Sequence, residues 1–133
     1  MDSINAFALI EQYIDGWKEN NLNKIAGCLT ENITIIESHG PTYSGIESVN
    51  HWFDLWLKAQ SHVVRWDIHS MHFCEHSQAA FCEWDFACVI SGVEYALPGV
   101  SMVKFSGQKI NLIHEYRMTK PPCPWDGQCL QSV

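Results

Sequence analysis

The second half of the chain is a succession of four strand-like segments joined by very short connections. Residues 62–73, 78–90, 94–105 and 109–118 are rich in β-branched and aromatic residues, with tight turns at "EHS", "SG" and "SGQ". Connections this short join antiparallel neighbours, because a parallel crossover needs a dozen or more residues. The pattern therefore predicts an antiparallel β-meander, which fixes most of the sheet.

Three helices are predicted before the meander. The first begins with Ser3 as its N-cap and runs to about residue 20, the second covers "NNLNKIAGCL", and the third covers about residues 46–60. Between them, "NITIIES" alternates like a strand and "HGPTYSG" is typical of a turn-rich loop. The residues predicted to be buried are Ala6, Phe7, Ile10, Tyr13, Ile14 and Trp17, then Leu22, Ile25 and Leu29, and finally Val49, Trp52, Phe53 and Trp56.

Helices followed by a meander predict an α+β domain with a curved antiparallel β-sheet. A strongly twisted sheet of long strands curls, and three helices laid across its concave side leave a cone-shaped hollow at one end. We expect a single domain over residues 1–120, because a chain of 133 residues is the size of one domain. Residues 121–133 are predicted to be a Pro-rich tail that cannot continue the sheet as a central strand.

The charge pattern excludes several classes of partner. The net charge is −7 with eight Lys plus Arg and no basic run, whereas nucleic acids and anionic membranes need clustered cations. No apolar stretch approaches the roughly 18 residues of a membrane span. The N-terminus has no basic region of the secretory kind, so we expect a cytoplasmic protein.

Six cysteines raise the alternatives of disulfides, a zinc site or free thiols. The sequence contains no C-x-x-C pair, and several cysteines lie within apolar runs. The seven histidines contain no H-E-x-x-H motif. We expect six reduced thiols, no metal and no cofactor.

Three segments resemble the nuclear transport factor 2-like superfamily, and its SnoaL-like branch in particular. They are "QYIDGWKENNLNKIAGCLTENITIIES", "YSGIESVNHWF" and "LPGVSMVKFSGQKINLIHEYR", and the resemblance covers nearly the whole chain. It implies the cystatin-like α+β barrel, in which a cone-shaped sheet wraps around the helices. Proteins of this fold include isomerases, dehydratases, cyclases, epoxide hydrolases and plain binding domains, so the fold alone does not define the chemistry.

The resemblance also implies particular pocket residues. Glu115 matches a pocket carboxylate of the limonene epoxide hydrolases, and Ser101 stands where ketosteroid isomerases carry an oxyanion-hole acid. The first-strand position that is the isomerases' base falls on or within one residue of Glu37. The sequence departs from the hydrolases at their R-x-D pair, which is occupied by Cys82 and Trp84. Epoxide hydrolysis by that mechanism is therefore not expected.

The same alignment bears on Glu83 and Asp85, which share one strand face in "FCEWDFACVIS". The alternate residues from Cys82 to Ile90 form a continuous apolar set, which favours placing that set in the hollow and both carboxylates outside. An alignment with the isomerases reverses the phase, so both orientations stay open. On the convex face we expect Ile110, Leu112 and Tyr116, an apolar surface through which the protein would form a homodimer.

The predicted site is an aromatic hollow with few polar groups, suited to a small hydrophobic or aromatic ligand. Glu37 and Glu115 would perform acid–base chemistry, Tyr13 or Ser101 would orient a carbonyl or hydroxyl, and His39 would shuttle protons. In the alternative, Glu115 and Arg117 form a structural ion pair, and Glu37 and His39 are surface residues. The remaining wall residues are predicted to be Trp17, Ile35, Trp52, Trp56, Trp84, Phe86, Val103 and Ile113.

We therefore expect a cofactor-free enzyme performing isomerisation, dehydration or cyclisation on a largely apolar substrate. A non-catalytic ligand-binding module and a dimerisation domain are the alternatives. An open hollow that reaches Glu115 would favour ligand binding, whereas a hollow filled by its own tryptophans would favour the dimerisation domain.

Overall fold

The computed structural model describes residues 1–130 and contains three helices and six strands within them. The α+β class and the curved sheet, which does not close on itself, confirm the expected fold. The elements are α1 (Ser3–Lys18), α2 (Leu22–Gly27), β1 (Leu29–Ile36), β2 (Thr42–Ser44), α3 (Ile46–Lys58), β3 (His62–Cys74), β4 (Ala79–Ile90), β5 (Val93–Ser106) and β6 (Lys109–Arg117).

The N-cap of helix α1 is Asp2, one residue before the predicted Ser3. The carboxylate of Asp2 accepts a hydrogen bond of 2.9 Å from the backbone N–H of Asn5, so Asp2 is the N-cap. Ser3 is already helical, and a side chain inside the helix cannot cap its first turn. The helix buries Tyr13 and Trp17 almost completely, which places two large rings toward the sheet and α3.

The sheet has the order β2-β1-β6-β5-β4-β3, and its last four strands form the predicted antiparallel meander. Two features were not predicted. The segment expected to be a loop contains the short strand β2, which pairs antiparallel with β1. Strand β1 pairs with β6 in parallel, with Ile35 opposite Ile113, so the sheet is not antiparallel throughout.

The prediction that Ile110 lies on the convex face is wrong, because its side chain is completely buried. The pairing of β5 with β6 shifts between Lys104 and Phe105, where Phe105 pairs with Ile110 and Asn111 becomes an extra residue. An extra residue reverses the side-chain alternation, so Ile110 and Ile113 both face the core although they are three residues apart. Tyr116 is exposed, as expected.

Glu83 and Asp85 lie outside the core, which resolves the two orientations left open by the sequence. Glu83 accepts a hydrogen bond of 3.3 Å from the hydroxyl of Ser70, and Asp85 lies 2.8 Å from Nε2 of His69. Both partners belong to β3. The alternate residues Cys82 and Trp84 are buried, so the apolar set faces inward.

Helices and sheet together enclose the hollow at one end of the domain. Helix α1 packs on β3, whereas α3 packs on β1 and β2, so the two helices cover opposite ends of the strand order. Their aromatic side chains meet, with Trp17 5.5 Å from Trp56 between ring centroids. None of the described helices is long and apolar enough to cross a membrane.

After β6 the chain has no further helix or strand as far as residue 130, and residues 120–130 are exposed. Local hydrogen bonds order part of this segment, such as the 2.7 Å bond from the indole N–H of Trp125 to the carbonyl of Cys129. The last residues of the predicted tail, 131–133, lie outside the described residues. The domain boundary at residue 120 stays a prediction.

Candidate active site

A cavity of about 480 Å³ opens at the end of the domain, and every helix and strand except α2 and β1 contributes residues to its wall. Its size is that of a typical small-molecule site. The hollow is open, in contrast to the alternative in which tryptophans fill it. The side chains around it are Tyr13, Trp17, Glu37, Ser38, His39, Tyr43, Trp52, Trp56, Val63, Trp66, Trp84, Phe86, Cys88, Ile90, Tyr95, Ala96, Leu97, Glu115 and Arg117.

Ten of the fourteen residues predicted for the site border this cavity: Tyr13, Trp17, Glu37, His39, Trp52, Trp56, Trp84, Phe86, Glu115 and Arg117. The other four do not. Ile35, Val103 and Ile113 are buried in the core, on the same face of the sheet as the strand residues that border the cavity. Ser101 is also buried, and it lies behind Trp84 and Glu115.

Glu115 lies half-buried in the cavity wall, near the end of β6. The hydroxyl of Ser101 donates a 3.2 Å hydrogen bond to its Oε2, and Ser101 in turn accepts one of 2.9 Å from the indole N–H of Trp84. Burial raises the pKa of Glu115 to about 7, the charge of Glu37 adds to the increase, and the hydrogen bond from Ser101 opposes it. A carboxyl with this pKa exchanges protons near neutral pH.

Glu37 is the second carboxyl in the cavity, and its position is fixed from both sides. It directly follows β1, and its backbone N–H donates a 2.9 Å hydrogen bond to the carbonyl of Pro41 across a tight loop. The hydroxyl of Tyr43 donates a 2.6 Å hydrogen bond to its Oε1. Burial, followed by this bond and the charge of Glu37, raises the pKa of Tyr43, so the phenol stays protonated and remains a donor.

Tyr43 borders the cavity but was not predicted to be in the site, although it contacts both Glu37 and Trp52. Its ring stacks on Trp52 with a centroid distance of 4.0 Å and an interplanar angle of 8°. The carboxylate of Glu37 is therefore connected to α3 through a stacked pair of rings. A three-residue strand shows no periodicity in a sequence, so no local pattern could have identified this contact.

Trp66 is a further residue that the sequence analysis missed. Its ring contacts Tyr13, Trp84 and Phe86 at centroid distances of 6.2, 6.2 and 5.0 Å. Because Trp66 lies directly opposite Phe86 in the β3–β4 pair, both side chains emerge on the same sheet face. Fixing the register of the first hairpin would have been enough to find it.

The indole N–H groups of Trp17 and Trp66 are buried without a hydrogen-bond partner among the described residues. Each such group lowers stability by about 1–3 kcal/mol. The aromatic wall is therefore not arranged for maximal stability, which is typical of functional sites.

Gly99 allows Trp84 to occupy its position in the wall. A Cβ atom at Gly99 would clash with the backbone carbonyl oxygen of Tyr116 and would lie 2.5 Å from Cη2 of Trp84. Gly99 is opposite Trp84 in the β4–β5 pair, so the indole ring lies over the glycine instead of standing upright. This orientation is what lets the ring nitrogen reach Ser101.

The side chain of Tyr13 is 4% exposed and borders the cavity. Burial, followed by the charge of Glu115, raises its pKa well above the ordinary value. The group is therefore a neutral donor beside a carboxyl group. Such a donor can bind a carbonyl or hydroxyl oxygen of a ligand.

The alternative in which Glu115 and Arg117 form an ion pair is wrong. The Lys and Arg ion pairs formed by the described residues are Lys24–Glu19 and Lys58–Asp54, and His69 lies 2.8 Å from Asp85. Arg117 is exposed at the cavity mouth, as is His39. Within residues 1–130, no three His, Cys, Asp or Glu side chains are grouped so as to hold a metal ion.

The fold and the cavity define a class of α+β domains in which a curved sheet and its helices enclose a ligand-sized hollow. The model of the SnoaL-like domain matches residues 10–113, most of the chain, and the protein belongs to that family. This confirms the resemblance to the SnoaL-like branch of the nuclear transport factor 2-like superfamily. No curated protein matches the sequence.

Solved structures share the fold at low sequence identity. An LEH-like epoxide hydrolase of M. tuberculosis has a TM-score of 0.76 at 11% identity, over 86% of this chain and 84% of that one. SalBIII, an epoxide hydrolase/cyclase-like enzyme with a role in pyran ring formation in the polyether salinomycin, has a TM-score of 0.73 at 12% identity, over 89% and 94%. A protein of unknown function with a cystatin-like fold from Methylobium petroleophilum has a TM-score of 0.71 at 19% identity, over 96% and 82%.

Proposed function

We propose that the protein is a cofactor-free enzyme that transfers protons within a small, largely apolar substrate. The observation that carries the proposal is the pair of carboxyl groups in one aromatic cavity. Glu37 is held by the phenol of Tyr43, whereas Glu115 is desolvated and has a pKa of about 7. Two carboxyl groups in different environments of one cavity are a common arrangement for acid–base catalysis.

In this mechanism Glu115 acts first as a base and then as an acid. Its carboxylate removes a proton from a carbon next to a substrate carbonyl, and the hydroxyl of Tyr13 donates a hydrogen bond to the oxygen on which negative charge develops. The protonated Glu115 then returns the proton to another atom of the substrate. Delivery to a carbon gives isomerisation, delivery to a leaving hydroxyl gives dehydration, and delivery after ring closure gives cyclisation.

Hydrolysis of epoxides by the limonene epoxide hydrolase mechanism does not fit this cavity. The two positions that match the R-x-D pair hold Cys82, which is buried in the core, and Trp84, whose N–H is bound to Ser101. Neither side chain can replace a carboxylate or a guanidinium.

A carbon-acid probe tests the proposal without knowledge of the natural substrate. 5-Nitrobenzisoxazole loses one proton to a base and opens to a coloured nitrophenolate, so it reports a carboxylate base in an apolar cavity. We expect turnover that rises with pH through about 7, the pKa of Glu115. Glu115→Gln should lower the rate by about 10²–10⁴-fold.

Glu83→Gln is the matched control, because Glu83 lies on the opposite face of the sheet. Its rate should equal that of the unmodified protein. Saturable binding of the probe without turnover would instead support the alternative function, a non-catalytic binding module.

A further inference from the structure

The cavity wall contains far more aromatic than aliphatic surface. Nine of its residues are Trp, Tyr or Phe, and four are Val, Ile, Leu or Ala. Aliphatic and aromatic side chains bury a neutral aliphatic ligand about equally well, so this ratio favours a ligand with an aromatic ring or a cation. Ring faces carry a negative electrostatic potential, which attracts cations.

The charges in the wall have the same sign as the ring faces. Two carboxyl groups, Glu37 and Glu115, border the cavity, and no lysine does. The one guanidinium, that of Arg117, is exposed at the mouth and pairs with neither carboxylate within the described part of the chain. The interior of the cavity is therefore a region of negative potential with apolar walls.

Each carboxyl group also has aromatic rings beside it. Tyr43, which donates to Glu37, is stacked on Trp52. Tyr13, close enough to Glu115 to feel its charge, is 6.2 Å from Trp66 between ring centroids. A cation carrying methyl or methylene groups would contact ring faces and a carboxylate at once, and each ring contact with a desolvated cation contributes up to about 2 kcal/mol.

We propose that the substrate of this cavity carries an alkylated ammonium group on an otherwise apolar body. This inference rests on the proposed function, because it names the class of substrate for the same site. The aromatic wall would hold the apolar body, while Glu37 would pair with the ammonium group and Glu115 would stay available as the base.

Two ligands of the same shape test the inference. Benzyl(2-hydroxyethyl)dimethylammonium and 3,3-dimethyl-4-phenylbutan-1-ol differ in having a positive nitrogen or a neutral carbon at the branch point. Isothermal titration calorimetry at pH 8, where most of Glu115 is ionised, compares their dissociation constants. We expect the ammonium compound to bind at least about tenfold more tightly.

The variants assign the preference to the carboxyl groups. The double variant Glu37→Gln/Glu115→Gln keeps the side-chain shapes and removes a repulsion, so it should fold and lose most of the preference. Glu83→Gln should retain it. Equal or tighter binding of the alcohol, no binding of either compound at millimolar concentration, or an unchanged preference in the double variant would overturn the proposal.

The outcome of this binding experiment can be distinguished from the outcome of the benzisoxazole turnover assay. Turnover of the probe together with a preference for the alcohol would overturn the ammonium class and leave proton transfer standing. A preference for the ammonium compound without any turnover would leave the ligand class standing and remove the enzymatic function.

Discussion

Replacing Glu115 by Gln should stabilise the fold at neutral and alkaline pH. The carboxyl group ionises at a pKa of about 4.5 in the unfolded chain and about 7 in the folded protein. Above pH 4.5 the folded state must therefore either keep a proton that the unfolded state has released or hold a desolvated charge. The free energy of unfolding decreases as the pH rises between these values. A neutral glutamine avoids this loss and still offers Ser101 an acceptor.

The size of the effect follows from the two pKa values. A difference of about 2.5 corresponds to about 3 kcal/mol, because each pH unit between them contributes about 1.4 kcal/mol. This is an upper value, since water in the open cavity screens the charge. Below pH 4.5 both forms of residue 115 are neutral, and the two proteins should be equally stable. The advantage of Glu115→Gln should reach its full value above pH 7.

Urea unfolding followed by tryptophan fluorescence at pH 4.5, 6, 7 and 8 measures the difference. Subtracting the two proteins cancels the titration of all other groups. Glu83→Gln, outside the cavity, should show no comparable rise with pH. A flat difference, or a variant less stable than the parent at pH 8, would refute the claim that Glu115 is desolvated without a counter-charge.

Three further predictions concern packing, assembly and the cysteines. Gly99→Ala should destabilise the fold by about 1–3 kcal/mol and displace Trp84, which a shift in the tryptophan emission maximum would reveal; an unchanged spectrum and stability would contradict the contact. We propose a homodimer through the convex face, so light scattering should show a dimer at micromolar concentration. Tyr116→Glu should split this dimer, whereas the control Gln108→Glu, in a turn, should not. A monomeric parent protein would contradict the proposal. Thiol titration should find three fast groups in the native protein, the exposed Cys74, Cys123 and Cys129. After denaturation it should find six, because the buried Cys28, Cys82 and Cys88 become accessible. Stoichiometric zinc by elemental analysis would contradict this prediction.

The meander and the helices could be predicted because each depends on neighbours in sequence. Alternation within a strand and 3.6-residue periodicity within a helix are local patterns, and they place Trp52 and Trp84 on the cavity side. Ile110 was misplaced because the extra residue in β6 is specified by its partners on β5 and β1, not by β6 itself. Alternation alone carries no information about such an irregularity.

The candidate site shows the same division. Glu115 and Glu37 could be named from the resemblance, and both border the cavity. Their difference in environment could not be predicted, because it depends on the Tyr43 hydrogen bond and on the absence of a pair between Glu115 and Arg117. Tyr43 is only six residues from Glu37 and Arg117 two from Glu115, but whether their side chains meet depends on the folded conformation of the loop and of the end of β6, which no local sequence pattern reports.

The parallel pairing of β1 with β6 has a consequence for the order in which the protein can be made. Leu29 on β1 lies opposite Ile110 on β6. The edge of β1 that faces β6 therefore cannot form its strand pairing until β6 has left the ribosome. Contacts of such sequence separation are slow to form, because a long loop must close first. A nascent chain that has not yet reached Lys109 holds Glu37 but not Glu115. The two carboxyl groups therefore come together only after β6 has been synthesised, when the sheet is joined across its middle.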